Sequence, residues 1–415
     1  MSRVIALKGH RAQRGGWSRN RFPLTIPRVC GNRTWWIGRA LKLQELHTMQ
    51  WREIGNLLNL MAFPGATVPV SAILSLWLGA VIVPSPAIGD TLAGFTGLQN
   101  DVVFSEYSPL SSSAELLHRL LSPLNAVQAR RTLAHSTVAL RDQPIDLSQE
   151  RFTVYVPTHP PARGYGLLVF VPPWPNAMLP RGWGAILERN GVIFVSAANS
   201  GNEANILDRR DPLALLAAHN MMQRFRVDPE RIYVGGFSGG SRVALRLALG
   251  FPDLFRGAFL NAGSDPIGDA QIPLPWPELF SRFQEMTRIV YISGQNDAVN
   301  ADKDTASTQS MLEWCVFDWY AERSPWTGHE VAGPNALERA LEMLDKHAEP
   351  KSARLNNCRR RINQALDKQI DEANGLLAAG KLDGARRLLN KIDTRYGGLA
   401  APRSVDLAAR LDGMD

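Results

Sequence analysis

Cysteine is scarce in this chain. Its 415 residues hold three, Cys30, Cys315 and Cys358, with no Cys-x-x-Cys pair among them. The eight histidines are scattered, so no zinc-ligand spacing occurs. No Gly-x-x-x-x-Gly-Lys run is present to cradle a phosphate. These absences leave no case for a metal or an organic cofactor. Positive charge is missing where a nucleic acid would need it. The formal net charge is +7, but residues 1–60 carry 11 Lys or Arg against 2 Asp or Glu, and the remainder carries 35 against 37. A nearly neutral body gives no basis for a nucleic-acid partner. A full membrane span of about 20 apolar residues is also lacking. The nearest approach is the apolar run 68–83 of 16 residues, inside the uncharged stretch Ile54–Gly89.

That run ends in the small residues Ser85-Pro-Ala87, of the kind a signal peptidase reads. It is expected to be the core of a cleaved signal peptide over 61–89, sending the protein to the periplasm or beyond. A retained membrane anchor through 68–83 is the alternative. No paired arginines precede it, so twin-arginine export is not expected. Residues 1–60 are basic and aperiodic. Met49 or Met61 would make a conventional start, and the stretch before it is expected to be disordered or never made. Trimming there removes Cys30. Cys315 and Cys358 remain as an even pair that bonds in an oxidising compartment, two unrelated buried thiols being the other reading. A bond would clip the C-terminal extension to the rest of the chain, worth ~3 to 4 kcal/mol.

The most informative stretch is Ile232-Tyr-Val-Gly-Gly-Phe-Ser-Gly-Gly-Ser-Arg-Val-Ala-Leu. A short apolar run ends in Gly236-Phe237-Ser238-Gly239-Gly240, and a helical pattern follows at once. Gly-x-Ser-x-Gly between strand and helix places a serine at the tip of a tight, strained turn. The residues two before and two after it must be small where strand and helix cross. The helix N-terminus then lies behind Ser238, and the Gly239 amide points where an oxyanion forms.

A serine needs a base, and the base needs an orienting carboxylate. On this scaffold they follow in the order serine, acid, histidine. After Ser238 only His329 and His347 remain. His347 sits in a helical pattern, whereas His329 sits in the loop Ser324-Pro-Trp-Thr-Gly-His-Glu and is favoured. The strand-like Arg288-Ile-Val-Tyr-Ile-Ser breaks at Gly294, and Asp297 follows as the favoured acid. Asp302 and Asp304 are runners-up, with capping of a helix from about Thr305 as their simpler reading. The second oxyanion donor belongs to the loop after Tyr165-Gly-Leu-Leu-Val-Phe-Val. There Pro172-Pro-Trp-Pro-Asn offers only the amides of Trp174 and Asn176, and Trp174 is chosen.

From about Glu150 to Asp345 the chain resembles the α/β-hydrolases, and within them the esterases related to polyhydroxybutyrate depolymerases and feruloyl or acetylxylan esterases. The resemblance rests on Arg151-Phe-Thr-Val-Tyr-Val-Pro, Leu167-Leu-Val-Phe-Val, Val192-Ile-Phe-Val-Ser, Val227-Asp-Pro-Glu-Arg-Ile-Tyr-Val, the serine turn, Gly294-Gln-Asn-Asp and Gly328-His329. It implies Ser238 as nucleophile, Asp297 as acid and His329 as base. The chain departs from the family at Pro173-Trp174, where many relatives carry His-Gly.

Strand and helix patterns alternate from about Thr137 to Leu344, which implies a mostly parallel sheet with helices on both faces. The expected organisation is a linker with short helices over 90–136, the α/β-hydrolase domain over 137–349 and a helical extension over 350–415. In the extension, Ala378-Ala-Gly-Lys-Leu-Asp-Gly-Ala-Arg-Arg-Leu-Leu is similar to a turn within a tetratricopeptide repeat. A single unit cannot bury its own apolar face. It is therefore expected to dock on the hydrolase or on a protein partner. Around the serine, Phe237, Asn199, Asn202, Asn261, Arg210 and Asp265 are candidate substrate contacts, with turn chemistry and capping as the simpler reading. Trp174 and Trp183 are candidates for an apolar wall. The function expected is an exported serine esterase acting on a small or polymeric ester. A peptidase on the same fold and a non-catalytic binding protein are the rivals.

Overall fold

Short apolar, β-branched runs separated by amphipathic stretches build the centre of the molecule. The computed structural model describes residues 95–135, 141–346 and 352–413, all within one unit spanning Trp51–Asp415. The leader at 61–89, the run 68–83, the stretch 1–60, Met49, Met61 and His347 lie outside the described residues.

The strands are β1 (Gly97–Val102), β2 (Phe152–Val156), β3 (Tyr165–Val171), β4 (Val192–Ala197), β5 (Val227–Phe237), β6 (Gly257–Asn261), β7 (Arg288–Gly294) and β8 (Trp319–Ser324). They form one 8-stranded sheet in the order β1-β2-β4-β3-β5-β6-β7-β8. β2 runs antiparallel to β1 and β4, and every other pairing is parallel. Side chains alternate between two buried faces. Leu167, Val169, Val171, Ile193, Val195, Ile232 and Val234 face one core, shared with α4 (Asp211–Arg224) and α5 (Gly239–Gly250). Leu168, Phe170, Phe194, Tyr233 and Phe259 face the other, closed by α3 (Trp183–Asn190) and α8 (Pro334–Leu344). Trp183 is fully buried there, its Nε1 donating to the Ala332 carbonyl at 2.8 Å, so it is core and no part of a pocket wall.

Two boundaries differ from expectation. The stretch read as a linker contains β1, an edge strand of sequence Gly-Leu-Gln-Asn-Asp-Val. It pairs through its backbone and stays largely exposed, so no apolar alternation marks it. The alternation read as strand after Thr137 comes in its described part from Ile145 and Leu147, which plug the core from a loop and a 3-10 turn. The sheet resumes only at Phe152. Before it, α1 (Ser113–Leu120) packs on α5, with Leu120 against Gly250 and Arg119 paired to Asp253.

Helices α6 (Pro277–Met286) and α7 (Ala301–Glu313) complete the body of the sheet domain. The extension is three helices, α9 (Ser352–Ala378), α10 (Leu382–Tyr396) and α11 (Arg403–Asp412), the last unforeseen. Their apolar side, including Leu366, Ile370, Leu377, Leu389, Ile392 and Leu407, is continuous with the main core. Asp393 on α10 accepts from Ser122 Oγ at 2.5 Å and from the Leu124 amide at 3.1 Å, capping α2 (Pro123–Ala134) from outside the helix. Arg395 lies over the Trp314 ring, and Cys315 is bonded to Cys358. The extension therefore docks on the body. Among the described residues, no helix is long and apolar enough to cross a membrane.

Candidate active site

The serine turn is shaped by what cannot fit in it. A Cβ at Gly236 would lie 2.3 Å from the Gly240 carbonyl, and one at Gly240 would lie 1.9 Å from the Val171 carbonyl oxygen. Between them Ser238 adopts φ 53° and ψ −119°, strained for any residue with a side chain. Its amide donates to the Asn261 carbonyl at 2.8 Å, tying the turn to β6. Ser238 thus stands half-buried at the carboxyl edge of the sheet, with α5 behind it.

Two further loops at that edge meet it. His329, in the loop after β8, places Nε2 2.9 Å from Ser238 Oγ and Nδ1 3.0 Å from Asp297 Oδ2. Asp297, past the end of β7, is almost fully buried. Its Oδ1 accepts from the amides of Val299 at 2.9 Å and Asn300 at 3.1 Å. Burial pushes this carboxyl upward, but the His329 hydrogen bond, the two amides and the imidazole charge outweigh burial and hold it below the ordinary carboxylate range. The two loops are fastened together: the Asn296 amide donates to the Thr327 carbonyl at 2.9 Å, and a Cβ at Gly294 would lie 2.2 Å from the Gly328 carbonyl oxygen.

The other acids stand elsewhere. Asp302 and Asp304 lie in the first turn of α7, which starts at Ala301 rather than Thr305. Asp302 is exposed. Asp304 is buried, accepting from the Ser264 amide at 3.0 Å and from Ser293 Oγ, and burial raises its pKa.

Of the expected substrate contacts, two are buried and a third is ion-paired. Asn261 is buried, with Nδ2 donating to Ile292 O at 3.0 Å and Oδ1 accepting from the Ala332 amide at 2.7 Å, so it pins the strand end to the segment after His329. Arg210 is 3% exposed and braces two loops, donating to Ser200 O at 2.8 Å and Pro172 O at 3.0 Å. Burial brings its pKa down to about 10. Asp265 faces Arg242 at 3.3 Å. Asn199 holds a turn at φ 52°, its amide donating to Pro175 O at 2.5 Å, while its side chain is exposed. Phe237 is buried between the His329 ring, 5.0 Å away, and the Trp174 ring, 6.0 Å away. Trp174 and Gly239 both border this place, and Gly239, as first residue of α5, has no intrahelical acceptor for its amide.

One residue escaped the sequence reading. Asn300, 2% exposed, donates from Nδ2 to Ala262 O at 2.9 Å and brings that nitrogen 3.2 Å from His329 Nδ1. Its only signal was its position three residues past Asp297 in a turn. Among the described residues, no group of three or more His, Cys, Asp or Glu could hold a metal ion.

No family model matches the chain, and no curated protein does. Solved structures do. An S-formylglutathione hydrolase from Staphylococcus aureus is 14% identical, over 47% of this chain and 90% of its own, with a TM-score of 0.38. An acetyl xylan esterase from Aspergillus awamori is 13% identical, over 47% and 94%, at 0.36. A dipeptidyl peptidase 4 from Porphyromonas gingivalis is 16% identical, over 47% and 33%, at 0.35, so the chain spans about a third of that peptidase. A strained serine turn crossing from a central parallel strand into a helix, in a sheet of this strand order, makes the chain an α/β-hydrolase in fold.

Proposed function

We propose that the chain is a serine hydrolase acting on carboxylic esters. The observation that carries this reading is the continuous line Ser238 Oγ, His329 Nε2, His329 Nδ1, Asp297 Oδ2, with spacings of 2.9 and 3.0 Å across its two hydrogen bonds. Ser238 Oγ attacks the ester carbonyl as His329 Nε2 takes its proton. Asp297 keeps Nδ1 protonated and stabilises the imidazolium that forms. The Gly239 amide, at the positive end of α5, receives the oxyanion. Collapse releases the alcohol, which leaves with the proton from Nε2. Water, activated by the same imidazole, then frees the acid and restores Ser238.

The protein is further proposed to be exported. The apolar run 68–83 with small residues after it supports this, as does the Cys315–Cys358 bond, since structural disulfides persist in oxidising compartments. The test is a fluorophosphonate probe with the modified residue mapped by mass. The reading requires labelling of Ser238, lost in Ser238→Ala and in His329→Ala, together with turnover of p-nitrophenyl acetate. Folded protein that takes no label would return the chain to a non-catalytic binding role. Turnover of p-nitroanilides in preference to esters would make it a peptidase.

A further inference from the structure

The serine turn needs small residues at 236 and 240, where strand and helix touch, yet residue 239 is glycine as well. Backbone conformation does not demand it, because Gly239 lies in α5 without a positive φ. Space does. A Cβ at 239 would lie 2.1 Å from Asn202 Oδ1, 2.8 Å from its Cγ and 3.1 Å from its Nδ2. The missing side chain leaves room for the Asn202 carboxamide, which comes up against the residue after the serine with its oxygen foremost. Its oxygen is nearest Gly239 and its nitrogen is turned further out.

The chain holds Asn202 there from both sides. Its amide donates to Pro173 O at 3.0 Å, and the preceding Gly201 fits against the Trp174 carbonyl, where a Cβ would come within 2.9 Å of the oxygen. Asn202 is otherwise exposed, so packing alone gives no reason for this placement. The loop across the site is meanwhile short of donors. Pro172, Pro173 and Pro175 have no N–H. The Pro173–Trp174 bond is trans, so the Trp174 N–H points opposite to the Pro173 carbonyl and away from the Asn202 backbone.

We propose that the Asn202 carboxamide is the second oxyanion donor: its Nδ2 shares with the Gly239 amide the charge that forms when Ser238 attacks. This rests on the serine-hydrolase reading. It replaces the backbone amide expected after β3 with a side chain from the loop after β4.

The experiment compares wild type with Asn202→Ala, the near-isosteric Asn202→Asp and Gly239→Ala on p-nitrophenyl acetate, and measures inhibition by a trifluoromethyl ketone. Loss of one oxyanion donor lowers kcat by about 10²- to 10³-fold. The expected result is a loss of that size in Asn202→Ala with KM changed less than about threefold, and an equal or larger loss in Asn202→Asp, whose carboxylate repels the oxyanion. Ketone affinity should fall in parallel, because the ketone mimics the tetrahedral adduct. Gly239→Ala, which displaces the carboxamide, should add little to Asn202→Ala in the double variant. Melting temperatures of the Asn202 variants should match wild type. Asn202→Ala and Asn202→Asp within threefold of wild-type kcat would overturn the assignment, as would a loss confined to KM. If the fluorophosphonate fails to label wild-type Ser238, the hydrolase reading itself falls and takes this one with it.

Discussion

Replacing Asp297 with Asn sets two hydrogen-bonding demands against each other. Wild-type Oδ1 accepts from the Val299 and Asn300 amides at 2.9 and 3.1 Å, and Oδ2 faces His329 Nδ1 at 3.0 Å. An amide side chain can satisfy only one side. If its oxygen stays on the backbone amides, its NH₂ faces Nδ1 and requires that nitrogen to accept. The ring proton then sits on Nε2, aimed at Ser238, and the base is lost. If the amide flips, the ring keeps its working tautomer, but two backbone donors face an NH₂ in a buried place. Each unpaired buried donor costs about 1 to 3 kcal/mol, so the idle tautomer is favoured by about 2 to 6 kcal/mol. Asn300 Nδ2, 3.2 Å from Nδ1, presses the same way. That range corresponds to a fall in kcat between about 30-fold and about 10⁴-fold. Melting temperature at pH 8 should fall but leave the protein folded, because the backbone amides keep an acceptor while the stabilisation of the ionised carboxylate is lost. The assay is kcat on p-nitrophenyl acetate beside a thermal melt. A folded Asp297→Asn protein within threefold of wild type would refute the reasoning.

Stability against pH carries a second expectation. Asp304 is pushed above the ordinary carboxyl range, mainly by burial, so its penalty is absent at low pH and stability is lost as pH rises from about 4 through the folded value. Asp304→Asn can still accept from the Ser264 amide and donate to Ser293. Its melting temperature relative to wild type should therefore be higher at pH 8 than at pH 4, and an equal loss at both would contradict the sign. The Cys315–Cys358 bond closes a separation of 43 residues, which corresponds to about 4 kcal/mol of chain entropy. Denaturant unfolding of a Cys315→Ser, Cys358→Ser double variant should show a loss approaching that figure, and two reactive thiols in unreduced wild type would sink the idea. Gly240→Ala drives a Cβ to 1.9 Å from the Val171 carbonyl oxygen, and backbone on both sides cannot yield cheaply. It should melt far below wild type or fail to fold, and a wild-type melt would show that the crossing is looser than drawn.

What could be read from the chain was what local pattern records. The parallel strands are apolar on both faces, so Leu167–Val171 and Val192–Val195 announce themselves as runs. The serine turn is legible because sterics exclude all but small residues at 236 and 240. The misreadings share one cause: direction is not written in sequence. Asn261 stands at a strand end where a pocket residue would stand, but it faces inward and bonds the neighbouring loop. Arg210 was a candidate contact because its loop leaves the carboxyl end of a strand beside the nucleophile, yet carbonyls from two loops converge on it. β1 and α11 gave no strong signal because their partners, β2 for one and the body with α9 and α10 for the other, lie far away in the chain.

The extension belongs to the same packed body as the sheet. Helix α7 begins beside the Asp297 turn, and its first turn carries Asp304, which holds Ser264 and Ser293 near the ends of β6 and β7. Its far end leads into Trp314 and Cys315, where Arg395 covers the indole and Cys358 makes its bond. One helix therefore runs from the loop that orients the imidazole to the surface on which the extension sits. A helix held at one end only is free to tilt, whereas one anchored at both ends keeps its first turn in register with the sheet. The apolar side of α9, α10 and α11 is buried against this body, not offered outward. On that arrangement the extension is fastened at the far end of α7, one helix length from the acid loop.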